Sequence, residues 1–139
     1  TQRTLYDRPT AILRLWGAGL SAMQLDGHVA WTAISLETSR KLGLAGTTEN
    51  GLTSQLINAS EARVAAVFNE IEPRRDAGRP RPRRAVEVSL RSRPGYDVSE
   101  VALRLGGGGH PQAAGFTLPG SLAEVEARVL PLLAEVAEL

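Results

Sequence analysis

Residues 105–116 read Leu-Gly-Gly-Gly-Gly-His-Pro-Gln-Ala-Ala-Gly-Phe, and this stretch constrains the chain more than any other. Gly106, Gly107, Gly108 and Gly109 carry no Cβ, so the backbone there can take φ > 0 and lets another group approach its N–H donors closely. A row of such donors forms an anion-binding concavity. His110 follows directly, able to donate a hydrogen bond and to carry positive charge near neutral pH. A flexible linker is the plain alternative, but such linkers are usually mixed with serine and lead into unstructured chain. Here the run lies between a capped helical pattern and the small residues Ala113, Ala114 and Gly115. The expectation is a cradle for a phosphate or a nucleotide.

Composition narrows the class. A chain of 139 residues suits one domain with a substantial core. A net charge of +1 argues against a wholesale polyanion binder, and ordinary apolar content against disorder. The absence of cysteine removes a disulfide framework, a thiolate zinc site and a thiol nucleophile. No apolar run approaches membrane-spanning length and the N-terminus lacks a signal-peptide pattern, so a cytoplasmic protein without a membrane partner is expected. The chain opens on Thr1, and residues 1–8 carry no folding signal, which reads as a piece of a longer protein. Basic charge clusters in residues 74–93, where eight arginines face only Asp76 and Glu87; the C-terminal segment instead carries Glu124, Glu126, Glu135 and Glu138 against Arg128. One side of the fold should therefore present a positive field to an anionic ligand.

Periodicity supplies the elements. Residues 9–25 predict a helix with Pro9 at its first turn and Ile12, Leu13, Trp16, Leu20 and Met23 as its apolar positions. Asp26-Gly27 predicts a turn, and residues 28–35 a strand. Short helices are expected over residues 37–42, stopped by Gly43, and over residues 48–58. Residues 63–68 are apolar on both faces and predict a central strand. Residues 72–83 hold three prolines, one glycine and five arginines, an exposed loop joining two strands. In residues 85–92, Val86, Val88 and Leu90 alternate with Glu87, Ser89 and Arg91. Asp97 and Glu100 form a capping-box pattern before a helix that Gly106 ends. Residues 116–118 predict a short strand. Ser121 and Glu124 cap a final helix, which Pro131 should kink or split. Together these predict an α/β domain with one mixed β-sheet flanked by helices.

Catalytic signatures are missing from this sequence. It has two histidines, His28 and His110, and no His-Glu-x-x-His pattern, nucleophile elbow, P-loop or dinucleotide fingerprint. Binding residues are better represented. Arg91, Ser92 and Arg93 close a strand, where ligands of α/β sheets commonly sit. Arg91 and Arg93 read as emerging on one face, able to grip a phosphate in the bidentate manner of arginine, or else as solvated edge residues. Tyr96 is an accessory candidate for stacking on a base. His28 reads as a strand-start residue, and Trp16 and Trp31 as core.

The runs 88–93 (Val-Ser-Leu-Arg-Ser-Arg), 96–102 (Tyr-Asp-Val-Ser-Glu-Val-Ala) and 106–116 resemble the C-terminal, DHH-associated domain of DHH-type phosphoesterases. Their nearest likeness is to the NrnA-type branch of nano-RNases and pAp phosphatases. The resemblance implies that residues 26–139 form the substrate-binding half of a phosphodiesterase. Residues 1–25 would be an N-terminal helix continuing from an interdomain linker. It further implies that Arg91, Ser92 and residues Gly106 to His110 hold a phosphate or terminal nucleotide, with Arg93 and Tyr96 as accessories. Short oligonucleotides or phosphorylated nucleotides would be the ligands, and a preceding catalytic domain the partner. That domain carries the Asp-His-His signature and a manganese pair; neither is present here, so no catalytic residue, metal ligand or cofactor is expected in this chain. RecJ-type exonucleases, cyclic-dinucleotide phosphodiesterases and the module appended to alanyl-tRNA synthetases carry related domains and remain alternatives.

Overall fold

The alternating apolar residues of Ala85–Ser92 and the runs apolar on both faces in Val29–Ile34 and Val64–Ile71 produce three adjacent inner strands of a six-stranded sheet. The computed structural model describes residues 9–44, 51–72 and 84–138. The sequence readings for residues 1–8, for the start of the 48–58 helix and for most of the arginine-rich loop lie outside these. In chain order the elements are α1 (Thr10–Ser21), β1 (Gln24–Asp26), β2 (Val29–Ile34), α2 (Leu36–Lys41), α3 (Leu52–Leu56), β3 (Val64–Ile71), β4 (Ala85–Ser92), α4 (Ser99–Arg104), β5 (Gly108–His110), β6 (Ala113–Pro119) and α5 (Leu122–Glu138). The sheet order is β1-β2-β3-β4-β6-β5. Only β2 and β3 pair in parallel, and the other neighbours are antiparallel, so the sheet is mixed and the fold α/β.

Each sheet face has its own core. Val64, Ala66 and Phe68 of β3 with Val86, Val88 and Leu90 of β4 bury against Val98, Val101, Val129 and Leu133 from the α4 and α5 side. Trp31 meets Phe68 edge-on there, ring centroids 5.8 Å apart. On the reverse face Ala30, Ile34, Ala65 and Val67 pack against Leu15 of α1 and Leu52 and Leu56 of α3. Helix α1 comes close because Gly19 lacks a side chain: a Cβ there would stand 2.7 Å from Leu52 Cδ2. The buried Thr32 hydroxyl donates to Gly19 O at 2.7 Å and fixes the contact.

Three departures from the sequence reading have physical causes. The first helix ends at Ser21, not Leu25, because Gln24–Asp26 zips onto β2 through a two-residue turn in which Gly27 takes φ 61°. The buried stripe of α1 is accordingly Ile12, Leu15 and Gly19, whereas Leu13 and Leu20 face outward. Helix α5 is not split at Pro131. That ring lies on the exposed side, and the Ser121–Glu124 capping box predicted from sequence is formed reciprocally, with bonds of 3.1 and 3.2 Å. Finally, the glycine run contributes an edge strand, and its partner β6 is seven residues long where three were expected.

Close backbone contact holds that edge strand. A Cβ at Gly107 would lie 2.0 Å from Gly115 O and 2.5 Å from Phe116 Cβ, whereas one at Gly108 would meet nothing within 4 Å. Gly107→Ala is therefore expected to lower stability by about 3 kcal/mol in urea unfolding, the upper end for overpacking. Gly108→Ala should leave the midpoint unchanged or slightly raised. Equal effects of the two would contradict this account of the edge.

Candidate phosphate-binding face

Register places the charged residues. Arg91 of β4 pairs with Ala113 of β6, and Ala113 with His110 of β5. Directly opposed residues of antiparallel strands project to one face. Arg91, Ala113 and His110 thus form a row across three strands, with the two outer Cα atoms about 10 Å apart at ~4.8 Å per strand. The adjacent row is Ser89, Gly115 and Gly108. Two cationic or donor side chains therefore flank a floor of alanine and glycine.

Helices leave this part of the sheet open. On this face α1 packs over β2, and α3 over β3 and β4. Thr53 of α3 reaches β4, donating from its hydroxyl to Ser89 Oγ at 2.9 Å. Helices α4 and α5 cover the opposite face. Arg91, Gly108 and His110 are all exposed. The geometry suits an anion laid on the small-residue floor, with the Arg91 fork on one side and the His110 imidazole on the other.

The glycine N–H groups are disposed differently from a free concavity. Gly106 takes φ 89° and donates to Leu103 O at 3.2 Å, while Gly107 donates to Ala102 O at 2.8 Å. These two bonds close the last turn of α4 as a Schellman motif. Gly108 and Gly109 pair with Gly115 and Ala114. Gly109 takes φ 143°, and a Cβ there would stand 2.5 Å from Ala113 O and 2.6 Å from Ala114 Cα. Only the outer edge of β5 keeps its backbone groups turned away from the sheet.

Other residues singled out in the sequence tie the surrounding loops together. Ser92 is buried; its hydroxyl lies against Tyr96 O and against Pro111 O at 3.1 Å. That contact joins the β4–α4 loop to the hairpin tip beside His110. Arg93 donates from Nε to Ala62 O at 2.6 Å and from Nη2 to Ala59 O and Ile57 O at 2.9 and 3.3 Å. It anchors the turn after α3 and does not share the Arg91 row. Tyr96 packs against the α4–α5 core, with the Arg63 guanidinium 5.7 Å from its ring centroid. Sequence reasoning missed Ser89, Ala113 and Gly115 as parts of the face; the alternation of β4 and the small residues after His110 were the available signals.

Asp97 precedes α4, whose final turn leads into the glycine run. The Ser99 hydroxyl and N–H donate to Asp97 Oδ1 at 2.5 and 2.8 Å. Hydrogen bonds from Ser99 hold this carboxyl below its ordinary value of 3.8. Among the described residues, no group of three or more His, Cys, Asp and Glu side chains could hold a metal ion. No helix of the described residues is long and apolar enough to cross a membrane.

Fold and face together define a small α/β domain with an exposed Arg91–His110 row across its open sheet edge and no metal-ligand cluster among its described residues. Comparison with known proteins assigns the family. The model of the DHHA1 domain matches residues 38–138, and the chain belongs to that family, a domain of DHH phosphoesterases. Over 129 residues the chain is 33% identical to the bifunctional oligoribonuclease and PAP phosphatase NrnA of Thermus thermophilus, matching 92% of this chain and 36% of that protein. The chain thus spans about a third of that relative. An exopolyphosphatase-related protein from Bacteroides fragilis shares the fold with a TM-score of 0.73 at 19% identity, over 96% of this chain and 36% of that one. A pGpG-specific phosphodiesterase from Vibrio cholerae does so with a TM-score of 0.51 at 7% identity, over 91% of this chain and 38% of that one.

Two stability predictions follow from these contacts. Ser92→Ala is expected to lower stability by about 1–3 kcal/mol, because Tyr96 O loses the Ser92 hydroxyl while Pro111 O keeps only the Val98 N–H. Unfolding should show this in the urea midpoint; a change under 0.5 kcal/mol would mean that the loops hold without the tie. For Asp97, the folded pKa is depressed, so its contribution is present above about pH 4 and is lost as pH falls through the lowered value. Asp97→Ala should therefore be less stable at pH 7 and show a flatter acid limb in thermal melts. A parallel offset at every pH would count against this.

Proposed function

We propose that this chain is the substrate-holding domain of a phosphoesterase that acts on short oligoribonucleotides and on pAp. It grips one phosphate between Arg91 and His110 over Ala113, Gly115 and Gly108. The observation that carries the reading is the Arg91–Ala113–His110 row on the part of the sheet face that α1 and α3 leave open. The name of the Thermus relative, an oligoribonuclease and PAP phosphatase, supports the ligand class. Bond cleavage would belong to the part of such proteins that this chain does not match, where the resemblance places an Asp-His-His signature and manganese. This chain's own residues bind and orient. Arg91 offers parallel donors to two phosphate oxygens, and the His110 imidazole supplies a further donor from the edge strand.

The isolated chain is expected to bind the diester ApA with roughly millimolar affinity, since two or three charge-assisted bonds of about 1.5–3 kcal/mol each must first offset the cost of association. Amide signals of Gly108 and His110 should move on titration, and Arg91→Ala should abolish the response. His110→Gln, which removes the imidazole from the edge strand, should weaken binding as well. A diester is needed because a monoester changes charge near pH ~6. Binding that is indifferent to both substitutions would refute the assignment.

A further inference from the structure

Ser89 and Arg91 share one face of β4, about 6.6 Å apart along the strand at a rise of ~3.3 Å per residue. We infer that Ser89 is a specificity-determining residue that reads the sugar beside the gripped phosphate. Its hydroxyl donates to the sugar 2′-oxygen, so the face favours a ribonucleotide over its deoxy counterpart. The inference rests on the Arg91–His110 reading for the place of the phosphate, and on the Thr53–Ser89 pair for the rest.

The bond behind Ser89 decides what its hydroxyl can offer. A serine hydroxyl has one hydrogen to donate and two lone pairs that accept. Thr53 of α3, only 1% exposed, donates to Ser89 Oγ at 2.9 Å and fills one lone pair from the helix side. The hydrogen of Ser89 must therefore point away from Thr53, toward the part of the face that α3 leaves open. A hydroxyl that already accepts a bond is polarised and donates more strongly. Thr53 thus acts as a positioning residue, and Ser89 as the group that meets the ligand.

The floor beside Ser89 admits a sugar. Its register partner on β6 is Gly115, and Gly115 pairs with Gly108 of β5. Neither glycine carries a side chain, so bare backbone runs from Ser89 to the sheet edge. In a nucleoside 3′-phosphate, the 2′-hydroxyl sits on the carbon next to the one that carries the phosphate. With the phosphate in the Arg91 row, that hydroxyl falls over the adjacent row, where Ser89 supplies the side-chain donor. The 2′-hydroxyl can accept as well as donate, and it is the group by which a site tells RNA from DNA. Ser89 is half-buried, so water can take its hydrogen when the 2′-oxygen is missing. Discrimination is then set by one net hydrogen bond, and not by an orphaned buried donor.

The test compares two diesters of equal charge on the whole chain, adenosine 3′-(methyl phosphate) and its 2′-deoxy counterpart. In an NMR titration the ribose ligand should bind about three- to tenfold tighter, the worth of one neutral hydrogen bond. In Ser89→Ala the affinity ratio should fall to about one, through weaker binding of the ribose ligand. Equal affinities in the wild type, or a ratio unaltered by Ser89→Ala, would overturn the inference. If Ser89→Ala loses its thermal transition, wild-type signals decide alone. The Ser89 β-proton and Thr53 methyl signals should then move further with the ribose ligand, and equal movement would overturn the inference. Failure of the Arg91–His110 reading looks different. Neither ligand would then move Gly108 or His110, and Arg91→Ala would leave both affinities as they were. If the Ser89 assignment alone fails, both ligands move those signals and weaken in Arg91→Ala, with no difference that depends on Ser89.

Discussion

The close approach of the glycine run to β6 is the contact on which the proposed binding face depends. Gly107 and Gly109 leave no room for a Cβ against Gly115, Phe116 and Ala114. With side chains there, β5 could not seat beside β6, and His110 would not stand opposite Ala113. The sheet would then end at β6, and Arg91 would face an edge with no second donor. The need for glycine is therefore steric at Gly107, and both steric and conformational at Gly109, which takes φ 143°. Gly106 has a conformational reason instead, since its positive φ lets α4 stop and the chain turn into the strand.

That arrangement explains what could be read from the sequence and what could not. Strand alternation in β4 and the apolar run in β3 were visible because side-chain period and burial follow directly from local sequence. The Ser121–Glu124 box was visible because its partners are three residues apart. The glycine run was recognisable as special, yet not as a strand, because glycine has poor strand propensity and only its neighbour in the sheet makes it extended. The same limit applies to Gln24–Asp26, whose pairing with β2 overrode a helical pattern that would have run on to Leu25. Ser92 and Arg93 read as ligand donors because side-chain chemistry is local information. The carbonyls they meet come from residues as far as 36 positions away, which no local pattern reveals.

Two roles are thus divided between adjacent residues of one strand end. Arg91 and Ser92 point to opposite sheet faces, as strand neighbours must. One is exposed in the cationic row, and the other is buried between two loops. Arg93, beyond the strand, anchors the turn that follows α3. The three consecutive residues that look like one motif therefore work on different sides of the sheet, and the exposed member, Arg91, is held by its neighbours' backbone bonds.

The edge position of β5 also couples binding to local order. A three-residue strand with two glycines has little of its own to hold it: its side-chain contribution is small, and its ordering entropy is large. A phosphate that touches both Arg91 and His110 bridges β4 to β5 across β6, adding a link that the bare sheet lacks. Since such a ligand binds the paired form and not a frayed one, it stabilises the edge by mass action, and part of its intrinsic affinity is used in that ordering. The same reasoning accounts for the ties behind the face. The Ser92 contacts and the Schellman bonds of Gly106 and Gly107 restrain the two ends of the hairpin before any ligand arrives, which reduces what the ligand must order. Small residues on the floor and fixed bonds at the rim are two parts of one solution, in which access for an anion is kept without leaving its donors loose.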